Sequence, residues 1–355
     1  MSTRGKIRRD GVDVFHTRTK NCHEPRSVLT WLTAPMRNSQ RLKWLLICMC
    51  SSRLVFIKLT KRTAEFSFES MLQSCVGATY TMPLQEIEEP IEPRTLALSR
   101  LAQLADHTFI LAKTNCSGVD LLPGAAKRAT CVRGEYVDAC APDTLISGEL
   151  SHGYKVTFAH AYIMYLAQAS GYKNACVIEE DALVTAKHNF DEVLRGIELI
   201  MSTKRWSFIR VGYRPYFFES EGSLACPREC ACKRHMEYAH ICELQSRGCD
   251  MRSSDFYFVE HQIFLQFRKL MTGTRFKRSR RIVDVMPMNS FEHQWLSVPQ
   301  VSFQGSLDIP LTYQIGLSLK FLQQCVFPGY KAAELLELEE NYFEQNIFHS
   351  KWLVD

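Results

Sequence analysis

The sequence predicts an α/β domain in which a largely parallel sheet is covered by helices. Three observations lead there. Short apolar runs, too brief for helices, recur at His107–Ala112, Ala175–Ile178 and Trp206–Val211. Between them lie longer segments whose apolar residues recur at helical spacing, so that strand and helix alternate. The composition, 46% hydrophobic and 23% charged, is that of a globular protein and excludes a disordered, collagen-like or polytopic membrane chain.

The chain divides in three on its sequence. Residues 1–95 read as a basic arm and linker. Residues 1–63 hold 14 Lys and Arg against 3 Asp and Glu, so with a net charge of +5 for the chain the remainder is acidic by about six. A basic arm on an acidic body argues against nucleic acid as the partner, because a nucleic-acid reader carries its positive stripe on the fold. Within the arm, residues 44–57 form an apolar run flanked by Arg41 and Lys43 and interrupted by Arg53. It is shorter than the about 20 residues of a spanning helix, so a signal anchor, a buried strand and a leader remain open readings. The arm as a whole is expected to be disordered or anchor-bearing. The linker closes on Glu86–Pro93, where two prolines interrupt regular structure.

Residues 96–310 read as the globular domain. A helix at 94–104 leads into the first strand, His107–Ala112. Lys155–Ser170 is a helix with Phe158, Ala161, Tyr162, Tyr165 and Leu166 on one face, and Gly171 stands at its C-cap. The strand Ala175–Ile178 ends in Glu179-Glu180-Asp181. An amphipathic helix at 190–203 and the strand Trp206–Val211 follow. Residues 222–250 form an irregular, cysteine-rich insertion. Order returns at Asp255–Phe267, Arg275–Arg281 is a basic loop that is either solvated, a docking site for donor phosphates or an anionic acceptor, or a nuclear-localisation patch, and Ile282–Val285 follows. Residues 311–355 read as a helical C-terminal extension.

Glu179, Glu180 and Asp181 carry the chemical argument. Three carboxylates at the end of a buried strand repel one another unless a cation neutralises them. The carboxyl edge of a parallel sheet is also where open α/β folds bind ligands. An exposed acidic turn that caps a helix is the plain alternative.

The block Phe158-Ala159-His160 through Ser170-Gly171 to Val177-Ile178-Glu179-Glu180-Asp181 resembles the signature of the family 25 glycosyltransferases, which include collagen and lipooligosaccharide galactosyltransferases. Ala159 stands where that family usually has Ser, and Glu180 where it has Asp. Weaker likeness continues through Phe256–Val259, Phe264 and Leu270 to Asp284, Trp295 and Val298–Val301, so that it covers residues 105–305. The resemblance implies a GT-A-like, Rossmann-type mixed sheet flanked by helices, with the cysteine-rich insertion set into it. It implies a UDP-sugar donor, a glycan or protein acceptor, and Mn²⁺ or Mg²⁺ held by Asp181 with Glu179 or Glu180. His160 is either a satisfied core histidine or, with Glu179, a cofactor-binding residue. An inverting transfer needs a carboxylate base; Asp284 is the first candidate and Asp255 the second, and either could be a structural cap. A relative that kept the fold and lost the metal is the second functional reading.

Cys226, Cys230, Cys232, Cys242 and Cys249 are spaced C-x3-C-x-C-x9-C-x6-C. Only the first pair has zinc-knuckle spacing, so disulfides, zinc and free thiols are all weighed. An odd count leaves one cysteine for a distant partner such as Cys325. Disulfides would place the chain in the lumen of the endoplasmic reticulum or Golgi; zinc with the basic loop would instead make a nucleic-acid-binding protein. Asn115-Cys116-Ser117 has the form of a glycosylation sequon. Walker, dinucleotide-binding, zincin and nucleophile-elbow motifs are absent from the sequence.

Overall fold

The computed structural model describes Gln73 and residues 75–84, 90–140, 151–184, 190–215, 226–235, 238–245, 249, 251–253, 255–272, 290–298, 300–305 and 310–326. All of them lie in one compact unit, Ala64–Asp355. The apolar run at 44–57, the basic loop and Asp284 lie outside the described residues. Among those described, no helix is long and apolar enough to cross a membrane.

In chain order the elements begin with β1 (Thr79–Thr81), α1 (Pro93–Ala102), β2 (His107–Ala112), α2 (Pro123–Ala126) and β3 (Ala129–Arg133). Then come α3 (Gly134–Cys140), α4 (Ser151–Ala169), β4 (Asn174–Glu179), β5 (Ala182–Val184), α5 (Phe190–Thr203), β6 (Phe208–Arg210) and β7 (Arg214–Pro215). The insertion supplies β8 (Cys232–His235) and β9 (Tyr238–Leu244), and β10 (Met251–Arg252) follows it. The chain continues through β11 (Phe256–Glu260), α6 (His261–Thr272), β12 (Gln294–Ser297), β13 (Ser302–Gln304) and α7 (Leu311–Phe321).

Among the described residues, nine strands form one mixed sheet in the order β1-β3-β2-β4-β11-β6-β12-β9-β8. β3, β2 and β4 are mutually parallel, and β6 is parallel to β12. Between these groups β11 runs antiparallel to both β4 and β6. The mixed sheet flanked by helices that the resemblance implies is found, whereas the strand–helix rhythm by itself suggested a largely parallel one. The reason lies in the route of the chain. After β6 it passes through β8 and β9 and comes back to the carboxyl edge, where β10 pairs with β7, and so it re-enters the sheet from that edge and β11 must run backwards.

Strand alternation builds a core on each face. Phe109, Leu111, Val177, Tyr257 and Val259 face one way, against α4 and α6. Ile110, Cys176, Ile178, Phe256 and Phe258 face the other, with buried residues of α1 and α5. α5 matches the predicted amphipathic helix, 190–203. α4 does not show a single buried face: Thr157 to Met164 are all buried, because the helix is covered by α3 and α6 as well as by the sheet. Gly171, at φ 72°, closes α4 as the sequence predicts, with the Gly171 and Tyr172 amides donating to the carbonyls of Gln168 and Ala167.

Three boundaries read from the sequence shift. Part of the supposed linker is sheet, since β1 pairs with β3, and Pro93 starts α1 at its first turn rather than breaking structure. The insertion is not irregular throughout: β9 and β8 extend the main sheet beyond β12. The start of the supposed C-terminal extension is packed rather than appended. Leu317, Phe321, Leu322 and Cys325 lie buried with Tyr213, Leu296 and Val298, and Gln314 on α7 exchanges two hydrogen bonds with the Gln304 backbone, at 3.0 and 2.7 Å, covering the edge of β13.

Ten of the eleven cysteines among the described residues are paired: Cys75–Cys140, Cys116–Cys131, Cys226–Cys325, Cys230–Cys249 and Cys232–Cys242. Cys176 is free and buried. The disulfide reading of the insertion holds, with Cys325 as the distant partner, and the five thiols of the zinc alternative are all consumed. Five disulfides are compatible with an oxidising, secretory or extracellular location.

Candidate functional site at the carboxyl edge

From β2 the chain crosses to β3 on one side and then returns to β4 on the other. The carboxyl ends of β2 and β4 therefore flank the point where the strand order reverses, the place at which open α/β sheets leave a crevice. β4 delivers Glu179-Glu180-Asp181 there. Reversed β11 brings Asp255 to the same edge, its carbonyl accepting from the Glu179 amide at 2.8 Å. β5 and β13 form a two-stranded ribbon over the edge, with the Gly305 amide donating to the Asp181 carbonyl at 2.7 Å.

Each acidic side chain has a different setting. Glu179 is 16% exposed and shares the face of α4, where its Oε1 meets His160 Nε2 at 3.0 Å. His160 Nδ1 lies 2.8 Å from the Tyr257 hydroxyl. An ionised carboxylate only accepts, so Nε2–H donates to Glu179, and with that proton on Nε2 the Tyr257 O–H donates to Nδ1. Burial, and then the charge of Glu179, holds the Tyr257 hydroxyl well above the usual phenol range, keeping it a donor. His160 is thus an interior residue that orients Glu179. At 3% exposure it is not presented to a ligand.

Glu180 turns the other way, and its Oε1 accepts from the Lys113 amide just past β2 at 2.7 Å. Asp181 is pushed up to about 7 by burial first, then by the charges of Glu179, Asp255 and Glu180. Asp255 is 1% exposed and pushed up to about 6 by burial, with Glu179 adding and two serines opposing. Ser302 donates to its Oδ2 at 2.8 Å and Ser253 to its Oδ1. Ser253 adopts φ 71°, an uncommon backbone for serine. Gly212 lies against this carboxylate, where a Cβ would come within 2.1 Å of Asp255 Oδ2.

The structure therefore brings Glu179, Asp181 and Asp255 into electrostatic contact and sends Glu180 toward β2. A base must reach its substrate, and Asp255, buried beneath two hydroxyls, stands as a support of the edge. Arg210 is fully buried at the end of β6, where its Nη1 donates to the Met251 carbonyl at 2.9 Å. Ser253, Ser302, Gly212 and Tyr257 were not legible as site residues, since no short motif holds them. Among the described residues, no group of three His, Cys, Asp or Glu side chains is gathered closely enough to hold a metal ion. The donors at hand are nevertheless carboxylate oxygens, which is the chemistry a hard divalent cation satisfies.

No family model matches the chain, and no curated protein matches it significantly. The likeness to family 25 glycosyltransferases stands on the residues quoted above.

Proposed function

We propose that this protein is a glycosyltransferase that moves a hexose from a nucleotide-sugar donor, UDP-linked, to a hydroxyl of a glycan or protein acceptor. The observation that carries the reading is the pair Asp181 and Glu179 at the strand-reversal crevice, with Asp181 destabilised as an anion by burial and by neighbouring carboxylates. Such a pair favours a cation. Asp181, with Glu179, would hold Mn²⁺ or Mg²⁺, which when bound supplies charge neutralisation for a leaving diphosphate. His160 and Tyr257 fix the orientation of Glu179, and Asp255, held by Ser253 and Ser302, braces the turn. Asp284 is the base in this reading, on the strength of the sequence resemblance. The mixed sheet with an antiparallel β11 is in keeping with a GT-A-like arrangement, and the disulfides with the lumen of the secretory pathway.

The test is thermal unfolding with UDP- and GDP-sugars, with and without Mn²⁺. A bound donor at about a hundredfold excess over Kd adds about 2.7 kcal/mol, which raises Tm only when Mn²⁺ is present. Asp181→Ala abolishes that rise. Stabilisation that survives the substitution unchanged defeats the proposal. One observation favours the second reading, a binding module without catalysis: Glu180 is engaged by the Lys113 amide rather than turned to its neighbours. Donor binding that ignores the divalent ion selects that reading.

A further inference from the structure

We infer that Asn115 is a modification site, the acceptor of an N-linked oligosaccharide. Asn115-Cys116-Ser117 is the one Asn-x-Ser/Thr sequence in the chain with a residue other than proline between. It sits in the turn after β2. Lys113, Thr114, Asn115, Ser117 and Gly118 are all exposed, and a Cβ at Gly118 would meet nothing within 4 Å. Cys116 alone points inward: it is 1% exposed and bridged to Cys131 on β3. The bridge pins the middle of the sequon to the sheet and leaves Asn115 and Ser117 outward, on open surface with room for a bulky polar group.

The local geometry couples the two ends of the sequon. Asn115 Oδ1 accepts from the Ser117 amide at 3.1 Å and from the Ser117 hydroxyl at 2.5 Å. This turn uses the amide oxygen, whereas the sugar bond forms at Nδ2. The five disulfides supply the independent indication of compartment, because lumenal oxidation and N-glycosylation belong to the same secretory route. The co-reactant is a lipid-diphosphate-linked oligosaccharide, brought by the cell's transferase. Nδ2 forms a bond to its anomeric carbon, the anomeric C–O bond breaks, the lipid diphosphate leaves with the electron pair, and the amide gives one proton to a base of that enzyme. The inference is independent of the chain's own proposed transferase activity.

The experiment uses the full chain made in the secretory pathway of a cultured eukaryotic cell, digested with peptide N-glycosidase. The wild-type band shifts down by one glycan on digestion, and mass spectrometry finds Asn115 converted to aspartate. Asn115→Gln and Ser117→Ala run at the digested position from the outset, while Ser117→Thr keeps the slower band. A wild-type band that digestion leaves in place overturns the inference, whether or not the disulfides have formed, and so does a glycan that persists in Ser117→Ala. Because the wild-type chain is read directly, a variant that misfolds does not shield the inference.

Discussion

Asp181 and Asp255 bind protons more tightly in the folded chain than an exposed aspartate does, at about 7 and about 6. The linkage has one sign. Their contribution to stability is fully present below the ordinary aspartate range and is lost as pH rises through the raised values. In the presence of a chelator, Tm is therefore expected to fall between about pH 4 and pH 7, with the last step, from 6 to 7, belonging to Asp181. Each tenfold of proton affinity is worth about 1.4 kcal/mol. Asp181→Asn flattens the upper part of the profile, and Mn²⁺ restores stability to the wild type at pH 7.5. A wild-type Tm that is level from pH 5 to 7.5 in chelator contradicts the burial of these charges. At this scale the sequence was legible where the signal was local. Glu179–Asp181 and Gly171 stand beside the strand and helix they end. Asp255 was read only as a second-choice base, because its serine partners and Gly212 come from other strands.

Among the elements, β11 does most to shape the site, and its direction was hidden from the sequence. Its pattern, Phe256-Tyr-Phe-Val-Glu260, is apolar on both faces, as a central strand of either direction would be. Only the path of the preceding segment sets the polarity. The end of β6 must then make room for the carboxylate that β11 brings, and Gly212 does so. Gly212→Ala forces a methyl group onto Asp255, which Ser253 and Ser302 hold in place. Overpacking of this kind costs about 1–3 kcal/mol. The check is a double-mutant cycle in chemical denaturation. In an Asp255→Ala background most of that cost is expected to vanish, and an equal cost in both backgrounds disproves the clash. Helices of ordinary amphipathic type, such as α5, were read to their ends. α4 was read as a helix whose Phe158, Ala161, Tyr162, Tyr165 and Leu166 share a face, and all five pack in one cluster, but its burial on further sides was not legible, because a helix covered on several sides has no single apolar stripe.

Across the whole molecule, the cysteines decide which distant parts act together. Cys226–Cys325 spans 99 residues and ties the insertion to the turn after α7, whereas Cys232–Cys242 spans 10 within the β8–β9 pair. In the chain-entropy account the longer loop is worth about 2 kcal/mol more. Cys325→Ala is thus expected to lower Tm further than Cys242→Ala, each measured by calorimetry under non-reducing conditions. The reverse order contradicts the loop-length account of these two bridges. Spacing in the sequence suggested disulfides and a remote partner for the odd cysteine, while the connectivity itself required the fold.

The excursion between β6 and β11 leaves and returns through the same doorway, because β7 and β10 zip its base together next to Gly212 and Asp255. Within the excursion β9 is bound to β12 and buries Ile241 in the main core, so it is fastened twice, at the zip and in the sheet. A change in those strands is therefore felt at both places, by the acidic edge as well as by the far side of the sheet.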